Sequence, residues 1–244
     1  MKRMSEVKAR QQSSAGPSLA LFAVAVAFVA SSCFDAHQVD PGVLMIDDFD
    51  HGAFPADATF MPWMCFAYNP NSNRNYSCAY DTDTYDGSKY SLRLDFEVTD
   101  PVNLMMDYGG AGLGTNAPFG LQEDLTAFTK LEFDARLESR IPVLPVGAKL
   151  NISFGCSTAR LTDGSAPGDL YVVANVDYDH NNNWGHVFVA LANFSSQSID
   201  TRLIDGGVAG CLRLVDEMDI NVEAELPDGM SGAGTLNIDD IHLE

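Results

Sequence analysis

Two stretches of the chain alternate apolar and polar residues with a period of two. Leu92, Leu94, Phe96 and Val98 are interleaved with Ser91, Arg93, Asp95 and Glu97. Leu131, Phe133, Ala135 and Leu137 are interleaved with Lys130, Glu132, Asp134, Arg136 and Glu138. Successive strand residues point to opposite faces, so these are strands with one wet and one dry side. Further segments, KLNISFGC, LYVVANVDY, HVFVALANF, RLVDEMDINVEAEL and GTLNIDDIHLE, are bounded by Gly, Pro, Asn or Asp. Roughly ten strands, with short helical turns only near LQEDLTAF and after Phe194, predict an all-β antiparallel β-sandwich, because a half-wet strand needs a second sheet over its apolar side. Residues 109–124, which begin GGAGLGTNAPFG, read as a flexible loop. No Lys-Ser/Thr follows these glycines and no β-α unit surrounds them, so a phosphate cradle is not expected. Residues 178–186, YDHNNNWGH, read as a polar turn ending in an indole.

The sandwich is not expected to begin at residue 1. Lys2, Arg3, Lys8 and Arg10 precede the apolar run LALFAVAVAFVA at residues 19–30. That run is short for a membrane span and of the right length for a secretory signal. It leads into Ala30-Ser31-Ser32-Cys33, which resembles the lipobox of bacterial lipoproteins. The resemblance implies a signal peptide at 1–32, lipidation of Cys33, and an exported protein of the cell envelope anchored to the outer membrane. Plain secretion after an A-x-A-like cleavage is the alternative. Residues 33–42 then form a tether and 43–244 the domain.

The chain carries 14 Lys and Arg against 34 Asp and Glu. Residues 1–32 hold four of the basic residues and one of the acidic ones, so their loss leaves 10 and 33, a net charge of about −23. Such a surface repels nucleic-acid phosphates and anionic headgroups, which leaves the lipid as the route to a membrane. About 210 residues suit one domain, with no room for a second catalytic one. Beyond Cys33 there are Cys65, Cys78, Cys156 and Cys211, without C-x-x-C spacing. An even number in an exported chain predicts two disulfides. Cys65 and Cys78 flank the turn NPNSNRN and pair naturally, leaving Cys156 with Cys211; spacing does not exclude the other pairings.

Both ends of the domain carry two aspartates between apolar residues, as MIDDFD at 45–50 and NIDDIHL at 237–243. Leu236 and Ile238 share one parity and Ile241 and Leu243 the other, and the same slip separates Ile46 from Phe49. A bulge at each Asp-Asp step restores the pattern. If the first and last strands are antiparallel neighbours, Asp47, Asp48, Asp50, Asp239 and Asp240 converge, and a cation would relieve their repulsion. Oxygen-only ligands favour a hard ion, Ca²⁺ over Mg²⁺. Two other readings stay open. In one, one Asp of each pair serves a backbone N–H in its bulge while the other is solvated; in the other, the pairs supply the acid and base of a glycosidase, which needs a cleft.

In order, MIDDFDHG, DGSKYSLRLDFE, EDLTAFTKLEFDARLE, NWGHVFVALANF and NIDDIHLE resemble the galactose-binding-like jelly-roll modules, particularly carbohydrate-binding module family eleven. The resemblance covers most of residues 44–244. It implies a concave-faced jelly roll with a structural Ca²⁺ between the first and last strands and the loop before SLRLDF. The ligands it implies are Asp47, Asp48 or Asp50 with Asp239 or Asp240, and backbone oxygens near Gly87 and Ser88. Trp184 and Phe194 match positions that mainly pack. The function implied is non-catalytic binding of extracellular or envelope polysaccharide, by a monomer. The chain departs from the family in standing behind a lipoprotein-like signal with no attached glycosidase.

A sugar platform needs aromatic faces beside polar edges. The candidates are Trp63, Tyr68, Tyr76, Tyr80, Tyr85, Tyr108 and Tyr171, with Asn175 and Asp177 sharing the parity of Tyr171. Tyr178 has the parity of Val172, Ala174 and Val176 and reads as core. The alternative functions are an envelope protein-interaction module of the same fold and a jelly-roll polysaccharide hydrolase or lyase.

Overall fold

A computed structural model describes residues 42–50, 52, 63–68, 76–99, 108–117, 122–140, 149–168, 170–177, 182–196, 199–225 and 231–244. The signal segment, the tether with Cys33, and Tyr178 lie outside them. Twelve strands are present among these residues: β1 (Leu44–Asp47), β2 (Met64–Tyr68), β3 (Tyr76–Asp81), β4 (Ser91–Thr99), β5 (Tyr108–Asn116), β6 (Lys130–Ser139), β7 (Lys149–Gly155), β8 (Tyr171–Asp177), β9 (Gly185–Ala190), β10 (Ser195–Ser196), β11 (Glu217–Glu225) and β12 (Ser231–Leu243). One short helix, α1, spans Gly207–Leu212. No helix among the described residues is long and apolar enough to cross a membrane.

The strands form two antiparallel six-stranded sheets. The first runs β3-β4-β12-β6-β9, with β1 also on β12; the second runs β10-β8-β7-β11-β5-β2. Alternation dictates the core. Leu94, Phe96, Leu131, Phe133, Leu236 and Ile238 of the first sheet meet Leu113, Leu150, Ile152, Phe154, Met218 and Ile220 of the second, and all are buried. Full burial of one such side chain stabilises by about 1.5–3 kcal/mol.

Along one edge of β12, β4 pairs with Ser231–Ile238 and β1 with Ile241–Leu243. The first and last strands are therefore neighbours. β12 slips against β6 between Asp239 and His242, and Asp240 takes a left-handed φ of 51°. The bulge returns Ile241 and Leu243 to the core. On β1 the irregularity lies between Met45 and Asp47, just before the expected Asp-Asp step.

Two sequence expectations differ from the structure. Residues 108–116 are not a loop but strand β5, paired along its length with β11. Its outward positions are glycines, so alternation with Ala111, Leu113 and Thr115 is present but lacks the polar residues that usually mark it. Residues 122–128 of LQEDLTAF hold no helix. Asp124 Oδ1 accepts from Thr126 N at 3.0 Å and Phe128 N donates to Leu125 O at 3.1 Å, a hydrogen-bonded turn. After Phe194 the helical turns are the 3₁₀ segment Thr201–Leu203 and α1.

Cys65–Cys78 joins β2 to β3 and so staples one sheet to the other, with Cα atoms 5.8 Å apart. Cys156–Cys211 ties the end of β7 to α1, with Cα atoms 5.4 Å apart.

Candidate functional site

The outer face of the second sheet is built by strands whose other side is core. Register aligns its outward residues in rows across the sheet. One row is Asn175, Asn151, Asn221, Gly112 and Phe66; the next is Val173, Ser153, Asp219, Gly114 and Met64. Flanking them are Tyr171, Gly155, Glu217 and Asn116 on one side, and Asp177, Lys149, Glu223 and Gly110 on the other.

Missing side chains shape this face. A Cβ at Gly112 would lie 2.9 Å from Phe66 Cζ, and one at Gly114 would lie 3.0 Å from Phe66 Cε1, so the Phe66 ring lies directly over the β5 backbone. A Cβ at Gly155 would lie 3.1 Å from Tyr171 Cε1. Tyr171 reaches over that glycine to donate its hydroxyl to Glu217 Oε2 at 2.7 Å. Two aromatic rings thus rest on glycine floors, one over β5 and one over β7, with β11 between them.

The ground between is polar. Asn151 Nδ2 donates to Asn175 Oδ1 at 3.0 Å, and Ser153 Oγ donates to Asp219 Oδ2 at 3.3 Å. Asn221 Oδ1 is buried without a hydrogen-bond partner. Burial, and then the charge of Glu217, pushes the Asp219 carboxyl up to about 7 against the opposing Ser153 bond. Within these rows Asp177, Glu217, Asp219 and Glu223 face a single cation, Lys149.

Tyr171, Asn175 and Asp177 stand on this face as expected. Tyr68 belongs to the edge strand β2 and Tyr108 to its neighbour β5, but their side chains lie outside the described residues. The other aromatics are elsewhere. Trp63 is buried, its ring centroid 5.9 Å from that of Phe49, and its Nε1 donates to Asp47 Oδ2 at 3.1 Å. Tyr80 packs 6.4 Å from Phe49 and Tyr76 packs against the core. Tyr85 sits 6.2 Å from Trp184, away from the second sheet. Their parity or loop position turns each toward the interior or toward the first sheet. Trp184 Nε1 donates to Asp83 Oδ1 at 3.2 Å, and Phe194 is buried 5.1 Å from Phe154, as packing residues. Phe66 was not among the expected platforms, since a lone Phe beside a cysteine reads as core; only the glycines of β5 signal that it lies outside.

The paired aspartates form a clasp around the loop that precedes β4. Asp47 Oδ1 accepts from Phe49 N at 2.8 Å, and Asp48 Oδ1 from Asp50 N at 3.1 Å. Asp50 Oδ1 accepts from Lys89 N. Asp239 Oδ1 and Oδ2 accept from Asp240 N at 3.0 Å and Tyr85 N at 3.3 Å, with Ser88 also bonded to its side chain. The loop carrying Gly87 and Ser88 is thereby held between Asp50 and Asp239. Burial is the main cause that pushes the Asp239 carboxyl up to about 6. Asp240 takes part through its backbone N; its side-chain Oδ1 lies 3.9 Å from His242 Nδ1.

No protein-family model matches the chain, and no curated protein matches it. In structure it is similar to the family 11 carbohydrate-binding module from Clostridium thermocellum in complex with a β-1,3-1,4-mixed-linked tetrasaccharide. The TM-score is 0.49 at 15% identity, over 83% of this chain and 95% of that one. It is also similar to a β-1,2-glucanase from Parabacteroides distasonis, with a TM-score of 0.39 at 14% identity, over 74% of this chain and 22% of that one.

Proposed function

We propose that this is a non-catalytic carbohydrate-binding protein and that the outer face of the second sheet takes the sugar chain. One observation carries the reading: the Phe66 and Tyr171 rings rest over glycines on either side of a polar strip that includes Asn151, Ser153 and Asn175. Sugar rings stack their C–H faces on aromatic rings while their hydroxyls seek amides and carboxylates. The acidic rows suit neutral sugars and repel uronic acids or sulfated chains. A glycan array, followed by calorimetry on a hit, tests this. Phe66→Ala and Tyr171→Ala should each abolish or strongly weaken binding with the fold intact; retention in both overturns the assignment.

A second reading, hydrolase or lyase, is favoured by Asp219. A carboxyl that holds its proton near neutrality two residues from Glu217 on one strand resembles an acid and base pair. Product analysis on any bound glycan separates the two.

The proposal includes a structural Ca²⁺ at the clasp, where Asp50, Asp239 and Ser88 are the residues that would hold it. The fully buried Asp239 carboxylate supports it. A melting temperature unchanged by EDTA overturns it. It also includes export with a lipid on Cys33, supported by two disulfides that an oxidising compartment maintains. Palmitate incorporation should be lost in Cys33→Ser.

A further inference from the structure

The outer face of the first sheet, on the far side of the sandwich from the sugar strip, holds a second cluster. Register places Glu132 of β6 opposite His242 of β12. Glu244 continues that strand, its N donating to Lys130 O at 3.0 Å and its O accepting from Lys130 N at 3.0 Å. One ligand-type atom from each of Glu132, His242 and Glu244 lies within 4.8 Å of the other two. Glu132 Oε2 is 3.5 Å and Glu244 Oε1 3.6 Å from His242 Nε2.

These separations are long for hydrogen bonds. They match the edges of a coordination tetrahedron, since bonds of about 2.0–2.2 Å set ligand atoms roughly 3.3–3.6 Å apart. The imidazole is oriented for such a role. His242 Nδ1 lies 3.1 Å from Asp240 O, a carbonyl that can only accept, so the proton belongs on Nδ1 and a neutral ring turns the Nε2 lone pair toward the two carboxylates. Ligating histidines commonly hold their second nitrogen this way. Lys130 Nζ lies 2.6 Å from Glu132 Oε1 and 2.6 Å from Glu244 Oε2. It grips both carboxylates by one oxygen and leaves Glu132 Oε2 and Glu244 Oε1 facing the imidazole. His186 borders the set, with Nδ1 3.1 Å from Asp134 Oδ1 and Nε2 3.6 Å from Glu132 Oε2. Lys130 neutralises the outer oxygens of both carboxylates, and Glu132 Oε2, Glu244 Oε1 and His242 Nε2 remain grouped as three ligand-type atoms between which a cation fits.

We propose that Glu132, His242 and Glu244 bind a divalent first-row transition metal of the Zn²⁺ type, with the fourth position open to water. An imidazole ligand with two carboxylates suits such an ion better than Ca²⁺ or Mg²⁺. The site is separate from the sugar face, adjoins the aspartate clasp through Asp240, and binds β6 to the end of β12.

The test uses the untagged full chain, stripped with EDTA and titrated with ZnCl₂ by calorimetry and with Co²⁺ by visible absorption. One ion per chain is expected, with the intense bands of four-coordinate Co²⁺. Glu132→Gln, His242→Gln and Glu244→Gln should each weaken Zn²⁺ binding by about tenfold or more. Glu244→Gln lies past the last core residue of β12, so it keeps the test decisive if the others fold poorly. Absence of Zn²⁺ binding, affinity unchanged in Glu244→Gln, or displacement of Zn²⁺ by an equal concentration of Ca²⁺ overturns the proposal.

Discussion

Asp219 makes the stability of this protein depend on pH in a direction opposite to that of most paired carboxylates. It is 8% exposed, lies between Ser153 and Glu217, and holds its proton up to about pH 7, against an ordinary value of 3.8. Between those values the folded chain binds a proton at this site that the unfolded chain has released. Stability attributable to the site is therefore full below pH 4, falls as pH rises toward 7, and is level above. The gap of about three units, at 1.36 kcal/mol each, sets a ceiling of about 4 kcal/mol; water reaching the exposed edge reduces it to roughly 2–4 kcal/mol. Asp219→Asn keeps the shape and an acceptor for Ser153 Oγ but cannot ionise. Urea unfolding of both proteins from pH 4 to pH 8 should give similar stabilities at the acid end and a variant roughly 2–4 kcal/mol more stable at pH 8. Groups titrating elsewhere cancel in the difference. Parallel curves across the range would refute the reasoning, because a carboxylate that costs nothing to ionise is not buried as described.

Gly112→Ala drives a methyl group to within 1.9 Å of Asn221 Oδ1 and 2.9 Å of Phe66 Cζ. It should lower stability by about 1–3 kcal/mol and weaken glycan retention on an affinity gel. Trp63→Phe removes the hydrogen bond to Asp47 and should cost about 1.5–3 kcal/mol in urea unfolding while leaving glycan binding unchanged. Replacing Cys156 and Cys211 by Ala opens a 55-residue separation and should destabilise by about 4 kcal/mol, against about 3 kcal/mol for the 13-residue Cys65–Cys78 pair, read from denaturation midpoints.

The parts of the fold set by local alternation were legible in the sequence. Leu92 to Val98 and Leu131 to Leu137 became β4 and β6, and the slip across Asp239-Asp240 became a bulge with a left-handed residue. What misled was the strand whose outward positions are glycine, because strand propensity and polar alternation both weaken when the outer side chain is missing. With β5 read as a loop, nothing in the sequence places Phe66 on an outer face. The Glu132–His242–Glu244 cluster was equally hidden. Its members lie 110 residues apart along the chain, and only the pairing of β6 with β12 brings them together.

The bare backbone of β5 has a consequence for how binding can change. Relief on this face comes from subtraction, so its floor sits at the lowest level a polypeptide can reach, and every substitution at Gly112 or Gly114 can only raise it. An alanine adds one carbon, about 1.5 Å of height; larger residues would lift the Phe66 ring off its seat. On the proposed sugar-binding reading, small additions to this one strand would therefore regrade the face by displacing Asn221, Asp219 and the Phe66 ring.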